Sequence, residues 1–301
     1  MDTYRYVFSP EERPVAHIKA GERFAVYTED ASTGRLQSIA DLPTYLTFDK
    51  RNPCVGPIYV EDTKRGDTLK VKIISIEYVR DYAYSRQHAL FGGLQGTNST
   101  AVLNNPLEER YYLYKRDGDL FTLNKRISFK ADPFIGSIAT APLFESLGTL
   151  RSFENGGNMD VPAVKPGNTL YLPVSVAGAY LYVGDLHAVQ GDGELCGTAL
   201  EIAGKVTLEC SIVERGTMKT AWPRLESDEQ IMAIGCARPL EDAARVACCE
   251  LISWLEEMGW DKFEAYQMIS QCAEMKIGNM VDPLYTVVVS IPKEHAYKII
   301  P

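Results

Sequence analysis

The residues KRGDTL at 64–69 return as KPGNTL at 165–170. The correspondence extends outward, with Gly56 meeting Gly157 and Val60 meeting Val161 at the same offset. A Gly-centred turn that feeds an alternating apolar run marks a strand entered through a tight turn. A chain that carries this device twice at a fixed offset is constrained to build two related β-motifs. The same device opens the chain as HIKAGERFAVY at 17–27. From residue 15 to about 215, short apolar runs are broken by Gly, Pro, Asn and Asp, which is all-β texture. The expectation is a mainly β fold, a sandwich or barrel with two related halves, over residues 1–225.

Within that part, DYAYSRQH (81–88) and FGGLQGTN (91–98) read as a long excursion whose glycines permit close backbone approach, suited to a lid over a pocket. DPFIGSIATAP (132–142) then reads as a short strand or turn of the core. The texture changes after about 225. PLEDAARVACCELISWLEEMG (239–259) is an amphipathic helix. Pro239 suits its first turn, Glu241 and Asp242 its positive end, and Gly259 its C-terminal cap. Asp261 caps a second helix that runs to about Met275, with Glu264 placed as in a capping box, and LYTVVVSI (284–291) is a closing strand. Residues 226–301 thus read as an α+β part packed on the β-rich part.

A net charge of −9 disfavours nucleic acid or an anionic membrane as partner, because both need basic patches. MDTYRYVFSPEERP carries no apolar signal core, and no apolar run approaches the length of a membrane span. Seven cysteines, an odd number without a CxxC pair, fit reduced thiols in a cytoplasm better than a disulfide framework. Adjacent Cys248 and Cys249, inside a helix, read as core filler.

Chemistry is concentrated in VGDLHAVQGDGELCGTALE, residues 183–201, which holds Asp185, His187, Gln190, Asp192, Glu194, Cys196 and Glu201 between apolar runs. Burying carboxylates is costly unless they are paired or bind a metal. Residues 179–188 read as a strand and 194–202 as its return across a turn near Gly191. Asp185 and His187 then share a strand face, Glu194 lies opposite His187, and Cys196 lies near Asp185. A carboxylate, an imidazole and a second carboxylate on one face suit a hard or borderline divalent metal, zinc foremost, with calcium or manganese as alternatives. Glu194 is the candidate general acid and base, with Asp192 competing for the role. Cys196 is a rival nucleophile, or a small packing residue. Asn52 sits with Pro53 and Gly56 in a turn whose backbone amides could face an oxyanion, although the residues alone read only as a turn.

GDLHAVQGDGELCGTALE resembles the GDxHxxQGDGExCGTAxE stretch of the acetamidase/formamidase family. NPCVGPIYVED (52–62) and GGNMDVPAVKPGNTLYLPV (156–174) also match, in order and spacing, and the resemblance runs from about residue 13 to residue 292. It implies hydrolysis of small amides with release of ammonia. It also implies Asp160 as a further metal ligand beside Asp185 and His187, although GGNMD taken alone reads as turn chemistry. Asn158, Gln190, Cys196 and Asn52 are the residues expected to meet or orient the substrate. Neither a G-x-S-x-G elbow nor an H-E-x-x-H helix is present, so metal-activated water is the simplest mechanism. The expectation is a metal-dependent amidohydrolase, cytoplasmic and homo-oligomeric, acting on a small amide. The alternatives are a lactam or cyclic-imide hydrolase using the same site, and a non-catalytic β-sandwich that binds a metal or small ligand.

Overall fold

The computed structural model describes residues 4–42, 50–88, 91–94, 108–214 and 216–297. The β-rich part contains β1 (Arg23–Thr28), β2 (Cys54–Val60), β3 (Thr68–Tyr78), β4 (Tyr82–Gln87), β5 (Arg110–Asp117), β6 (Leu120–Leu123) and β7 (Ile127–Lys130). It continues with β8 (Phe134–Ala139), β9 (Gly156–Asn158), β10 (Thr169–Pro173), β11 (Leu181–His187) and β12 (Gly204–Ile212). Then come β13 (Arg224–Glu226), β14 (Gln230–Ala237), α1 (Leu240–Glu257), α2 (Lys262–Cys272), β15 (Glu274–Ile277) and β16 (Tyr285–Pro292).

Among the described residues the strands form two large sheets. One is ordered β15-β16-β14-β13-β10-β3-β12-β1, and the other is centred on β2-β11-β8-β9 with short strands at its edges. Alternation in the sequence decides which face each residue takes. In β3, Leu69, Val71 and Ile73 are buried while Lys72 between them is exposed. Leu170 and Leu172 of β10 point with them into the core between the sheets, whereas Tyr171 points the other way. On that outer face Tyr171, Ile231, Ala233, Val287, Val289 and Ile291 pack against α1 and α2. The result is three layers: sheet, sheet and helices. Every residue of β11 is buried, which fits a central strand covered on both faces.

The duplication of the sequence is visible as an approximate two-fold in the backbone. β3 and β10 are antiparallel neighbours, and Lys70 pairs with Tyr171, its own counterpart in the repeat. The flanking bonds repeat accordingly. Gly66 N–H donates to Val174 O at 2.8 Å and Gly167 N–H to Ile73 O at 3.0 Å. Val174 N–H donates to Asp67 O at 3.0 Å and Ile73 N–H to Asn168 O at 3.1 Å. The related halves are β2-β3-β8 and β9-β10-β11, and they exchange partners: β2 pairs with β11, and β9 with β8.

Four expectations need revision. The excursion after β3 is built as the small sheet β7-β6-β5-β4; its residues 89, 90 and 95–107 lie outside those described. The boundary expected near 225 falls inside β13, because β14 and β16 extend the same sheet as β3 and β10. Residues 194–202 are not a return strand, a point taken up below. The second helix stops at Cys272, short of Met275, because Glu274–Ile277 pairs with β16. No helix among the described residues is long and apolar enough to cross a membrane. All seven cysteines are free.

One buried cation pins the helical layer. Arg224 of β13 is fully buried, donating through Nε to Glu250 and through Nη1 to Glu257, both at 2.6 Å, with its guanidinium over Trp254. Gly235 of β14 lets α1 approach, since a Cβ there would sit 2.2 Å from Ala243 O. Removing one partner of a buried pair leaves an uncompensated charge. Arg224→Met should therefore lower stability by about 3–5 kcal/mol, and Arg224→Met with Glu250→Leu should recover much of that loss. Denaturant midpoints of the single and double variants check this; equal loss in both would show that the charge left behind is not the cost.

Candidate active site

At the end of β11 the chain turns inward on a buried cluster of Asp160, Asp185, His187, Glu194, Glu201 and Asp282. Asp185 and His187 do converge, with His187 Nε2 3.5 Å from Asp185 Oδ1. The pairing opposite His187 differs from the hairpin expected. His187 bridges Glu201, not Glu194, and Ala188 N–H donates to Leu200 O while Leu200 N–H donates to Val189 O. Residues 190–199 therefore form a closed loop. Its tip is tied elsewhere: Gly193 N–H donates to Ile277 O and Met280 N–H to Gly193 O. That anchorage folds Glu194 back into the cluster, 3.9 Å from His187 Nε2, while Glu201 Oε1 stands at 3.3 Å.

Backbone conformation at these positions is unusual. Asn52, Asp160, Asp185 and Glu194 all have φ between 49° and 57°, in the left-handed region that side chains disfavour. Gly136 of β8 makes the crowding possible. A Cβ there would lie 2.8 Å from Asp160 Oδ1 and 2.9 Å from Asp185 Oδ2.

Amide side chains brace the carboxylates. Asn158 Nδ2 donates to Asp160 Oδ2 at 3.1 Å and to Asp282 Oδ2 at 2.7 Å. Asn279 Nδ2 donates to Asp160 Oδ2 at 3.0 Å. Asn52 Nδ2 lies 2.6 Å from Asn158 Oδ1 and 3.2 Å from Asp185 Oδ2, and Ser137 Oγ donates to Asn158 Oδ1 as well. Gln190 Nε2 donates to the carbonyls of Asp160 and Gly278, both at 2.9 Å, which fixes its amide so that Oε1 faces His187 Nδ1 at 2.9 Å. Nδ1 of His187 then carries a proton in either charge state, and Nε2 faces the carboxylates. Nε2 of His187, Oδ1 of Asp160 and Oε2 of Glu201 have no hydrogen-bond partner although buried.

The electrostatics follow from burial and like charge. Burial, with the charges of Glu194, Asp282 and Asp185, holds Asp160 well above the usual carboxylate range. Glu194 is also held well above it by burial, against the pull of His187, with Asp282 and Glu201 adding to the rise. Burial pushes Glu201 and Asp282 each up to about 7. Burial pushes His187 down, but Glu201 and Asp185 outweigh it and hold the imidazole well above its ordinary value.

Two sets of ligand atoms within 4.8 Å of one another could hold a metal: Asp160, His187 and Glu194, or Asp185, His187 and Glu201. The cluster opens on a cavity of about 470 Å³ that Asn52, Asn158, Cys196 and Asp282 also line. Asp192 does not join it; the side chain is exposed and borders other surface depressions, as its place between Gly191 and Gly193 at the loop tip dictates. Cys196 is exposed on the cavity wall rather than set beside Asp185 by a strand register, and burial and Glu194 raise its thiol. Asn52 contributes a buried side chain to the cluster, and its Oδ1 has no hydrogen-bond partner. Glu201, Asn279 and Asp282 are the residues that sequence reasoning left out. Glu201 closes the motif itself, and its bridge to His187 depended on the register. Asn279 and Asp282 lie in GNMVDP, whose Gly-Asn and Asp-Pro pairs signal only a turn.

A family model, described as the Acetamidase/Formamidase family, matches residues 143–296. An acetamidase structure from Yersinia enterocolitica is 39% identical, with 98% of this chain and 90% of that one covered and a TM-score of 0.92. One from Bacillus halodurans is 29% identical, covering 98% and 96%, with a TM-score of 0.88. A putative formamidase of Schizosaccharomyces pombe is 31% identical over 153 residues, 43% of this chain, and the matched stretch spans only 37% of that relative's length. The chain belongs to the acetamidase/formamidase family.

Gln190 fixes the tautomer of His187, and this can be observed directly. Long-range nitrogen–proton NMR correlations should place the ring proton of His187 on Nδ1. In Gln190→Leu that proton should lose its acceptor and exchange faster with solvent. A proton found on Nε2 alone in the wild type would contradict the assignment.

Proposed function

We propose that this chain is an amidohydrolase that converts small linear carboxamides to carboxylate and ammonia, using a divalent cation held at the buried cluster. The supporting observation is the set of inward-facing atoms without hydrogen bonds: Asp160 Oδ1, His187 Nε2 and Glu201 Oε2. An imidazole nitrogen facing several carboxylate oxygens is satisfied either by a second proton or by a cation, and a divalent cation also offsets the charge of the surrounding acids. Asp160, Asp185 and His187 are the proposed ligands, with Glu201 placed to join them; the mixed nitrogen and oxygen set favours zinc, with manganese or calcium as alternatives. Such a cation polarises a carbonyl and acidifies water.

The chain's own residues supply the rest. A primary amide presents two N–H donors, and Asp282, with one oxygen fixed by Asn158, lines the cavity as an acceptor for them. Glu194 is the proton carrier. Burial raises its affinity for a proton, so its carboxylate can take one from the attacking water and, once protonated, give it to the leaving nitrogen. The C–N bond breaks as the nitrogen gains that proton, and ammonia departs. Cys196 is poorly suited to nucleophilic attack, because its thiol is raised rather than lowered. Residence in the cytoplasm and assembly as a homo-oligomer belong to the same reading; the free thiols support the former.

The deciding experiment is ammonia release from formamide and acetamide together with elemental analysis of the purified protein. No turnover of any short amide would leave a metal- or ligand-binding protein on the same fold. His187→Ala should lose metal and activity together while the far-UV spectrum is kept; full metal content in that variant would remove His187 from the ligands. Glu194→Gln should keep metal and slow turnover by about 10²–10⁴-fold, and near-normal rates would move the proton role to Glu201. Cys196→Ala should stay active. A covalent acyl adduct on Cys196, seen by mass spectrometry of protein quenched during turnover, would replace the water mechanism with a thioester route.

A further inference from the structure

We infer that the cavity above the carboxylate floor selects primary carboxamides whose acyl group is apolar and larger than acetyl, with an aryl or arylalkyl group fitting best. The inference rests on the amide-hydrolase reading above and concerns the same site. A cavity of about 470 Å³ lies in the range that buries ligands far larger than formamide or acetamide. Its lining sets the apolar side chains of Tyr84, Phe91 and Leu150 beside the polar Arg51, Arg86, His88 and Thr198.

Tyr84 stands beside the reacting groups. It forms a bridge with Glu201, Tyr84 N–H donating to Glu201 O at 3.1 Å and Glu201 N–H to Tyr84 O at 2.8 Å. Residues so paired present their side chains on one face of the sheet. The ring of Tyr84 is thus neighbour to the carboxylate that faces His187. It is fully buried and packed from behind by Leu36 and Tyr111, so it is a fixed wall. Phe91 supplies a second wall. Its ring lies on Gly197, where a Cβ would come within 2.3 Å of a ring carbon, and φ there is +79°. Leu150, 46% exposed, adds a third apolar side chain to the lining.

An anionic acyl group is disfavoured. The floor is built of carboxylates; Arg86 on the lining is already engaged with Glu109 at 3.0 Å and with the face of Tyr111, and Arg51, also on the lining, donates through Nη1 to Lys50 O at 3.1 Å. Two aromatic rings and a leucine around an otherwise acidic floor match a substrate with a polar amide end and an apolar body.

The test is kcat/KM for formamide, acetamide, butyramide, benzamide and phenylacetamide, read by ammonia release in the wild type, Phe91→Ala and Leu150→Trp. Ratios are taken within each protein, so partial loss of folded enzyme cancels. Phenylacetamide should exceed acetamide by about tenfold or more in the wild type, given the usual discrimination per buried methylene. That ratio should fall in Phe91→Ala and fall further in Leu150→Trp, where the indole fills the cavity. Acetamide or formamide as the best wild-type substrate would overturn the acyl preference and leave the amidase reading intact. A wild-type preference for phenylacetamide that neither variant changes would overturn the assignment of these walls. No ammonia from any amide would overturn both readings.

Discussion

Like-charge repulsion in a dry place is the constraint on which the rest of the site depends. Two carboxylates about 4 Å apart repel by roughly 4 kcal/mol even at an effective dielectric constant near 20. Here Asp160, Asp185, Glu194, Glu201 and Asp282 gather around one imidazole, all of them buried. The fold answers with neutral donors. Asn52, Asn158 and Asn279 spend their amide hydrogens on carboxylate or amide oxygens within the cluster. Those donors bind one oxygen each of Asp160, Asp185 and Asp282, and Ala199 N–H binds Glu201 Oε1, while Asp160 Oδ1 and Glu201 Oε2 are left without a partner. Such bracing orients negative charge without neutralising it. The left-handed backbone at Asn52, Asp160, Asp185 and Glu194 adds a cost of about 1–3 kcal/mol per residue. It persists because the surrounding bonds fix each position, as where Asp160 N–H donates to Gly136 O at 3.1 Å.

The duplicated frame explains how the bracing can be rigid. β3 and β10 meet on the approximate two-fold, and β8 and β11 are neighbours at the centre of the opposing sheet. Symmetry stops at the chemistry. The repeat offset carries Asp160 onto Tyr59, so the first copy lacks that carboxylate. Gly136 in β8 faces Asp185 in β11, because Ile135 pairs with Leu186 and Ser137 with Gly184. One copy contributes the acids, and the other contributes a strand stripped of the one side chain that would keep them apart.

Much of this was legible in the chain. The turn-and-strand device at 64–69 and 165–170 revealed the two halves, and the caps at Pro239 and Asp261 located the helices to within a few residues. The density of acids between apolar runs marked the site. What was not legible depends on tertiary contacts. A hairpin centred on Gly191 is the simplest local reading of QGDG, but the loop tip bonds to Ile277 and Met280, nearly ninety residues later. Those bonds convert a two-residue turn into a closed loop and move the partner of His187 from Glu194 to Glu201. Asp192, the acid at the tip, is carried outward by the same geometry. Asn279 and Asp282 belong to a segment that brings no periodicity and no motif; tertiary contacts deliver them, with Gly278 close to Met159 O and bonded by Gln190, and Met280 N–H bonded to Gly193 O.

The floor and the walls of the cavity come from different parts of the fold. Asp160, Asp185 and His187 lie on or just after strands of the duplicated frame, where pairing on both sides leaves little freedom. Tyr84 and Phe91 come from the excursion that follows β3, the stretch inserted into only one of the two halves. Among the described residues the excursion meets the 193–201 loop through the bridge of Tyr84 to Glu201, the hydrogen bonds of Ser85 and Arg86 with Thr198, and Gly93 N–H to Leu195 O. The bonds of Tyr84 and Gly93 in this contact are made by backbone, so the side chains of Tyr84 and Phe91 are less constrained than Gly136 or Asn158, whose own atoms touch the carboxylates. Physical coupling alone thus separates a part of the chain that must keep its reacting groups from a part free to set what is held above them.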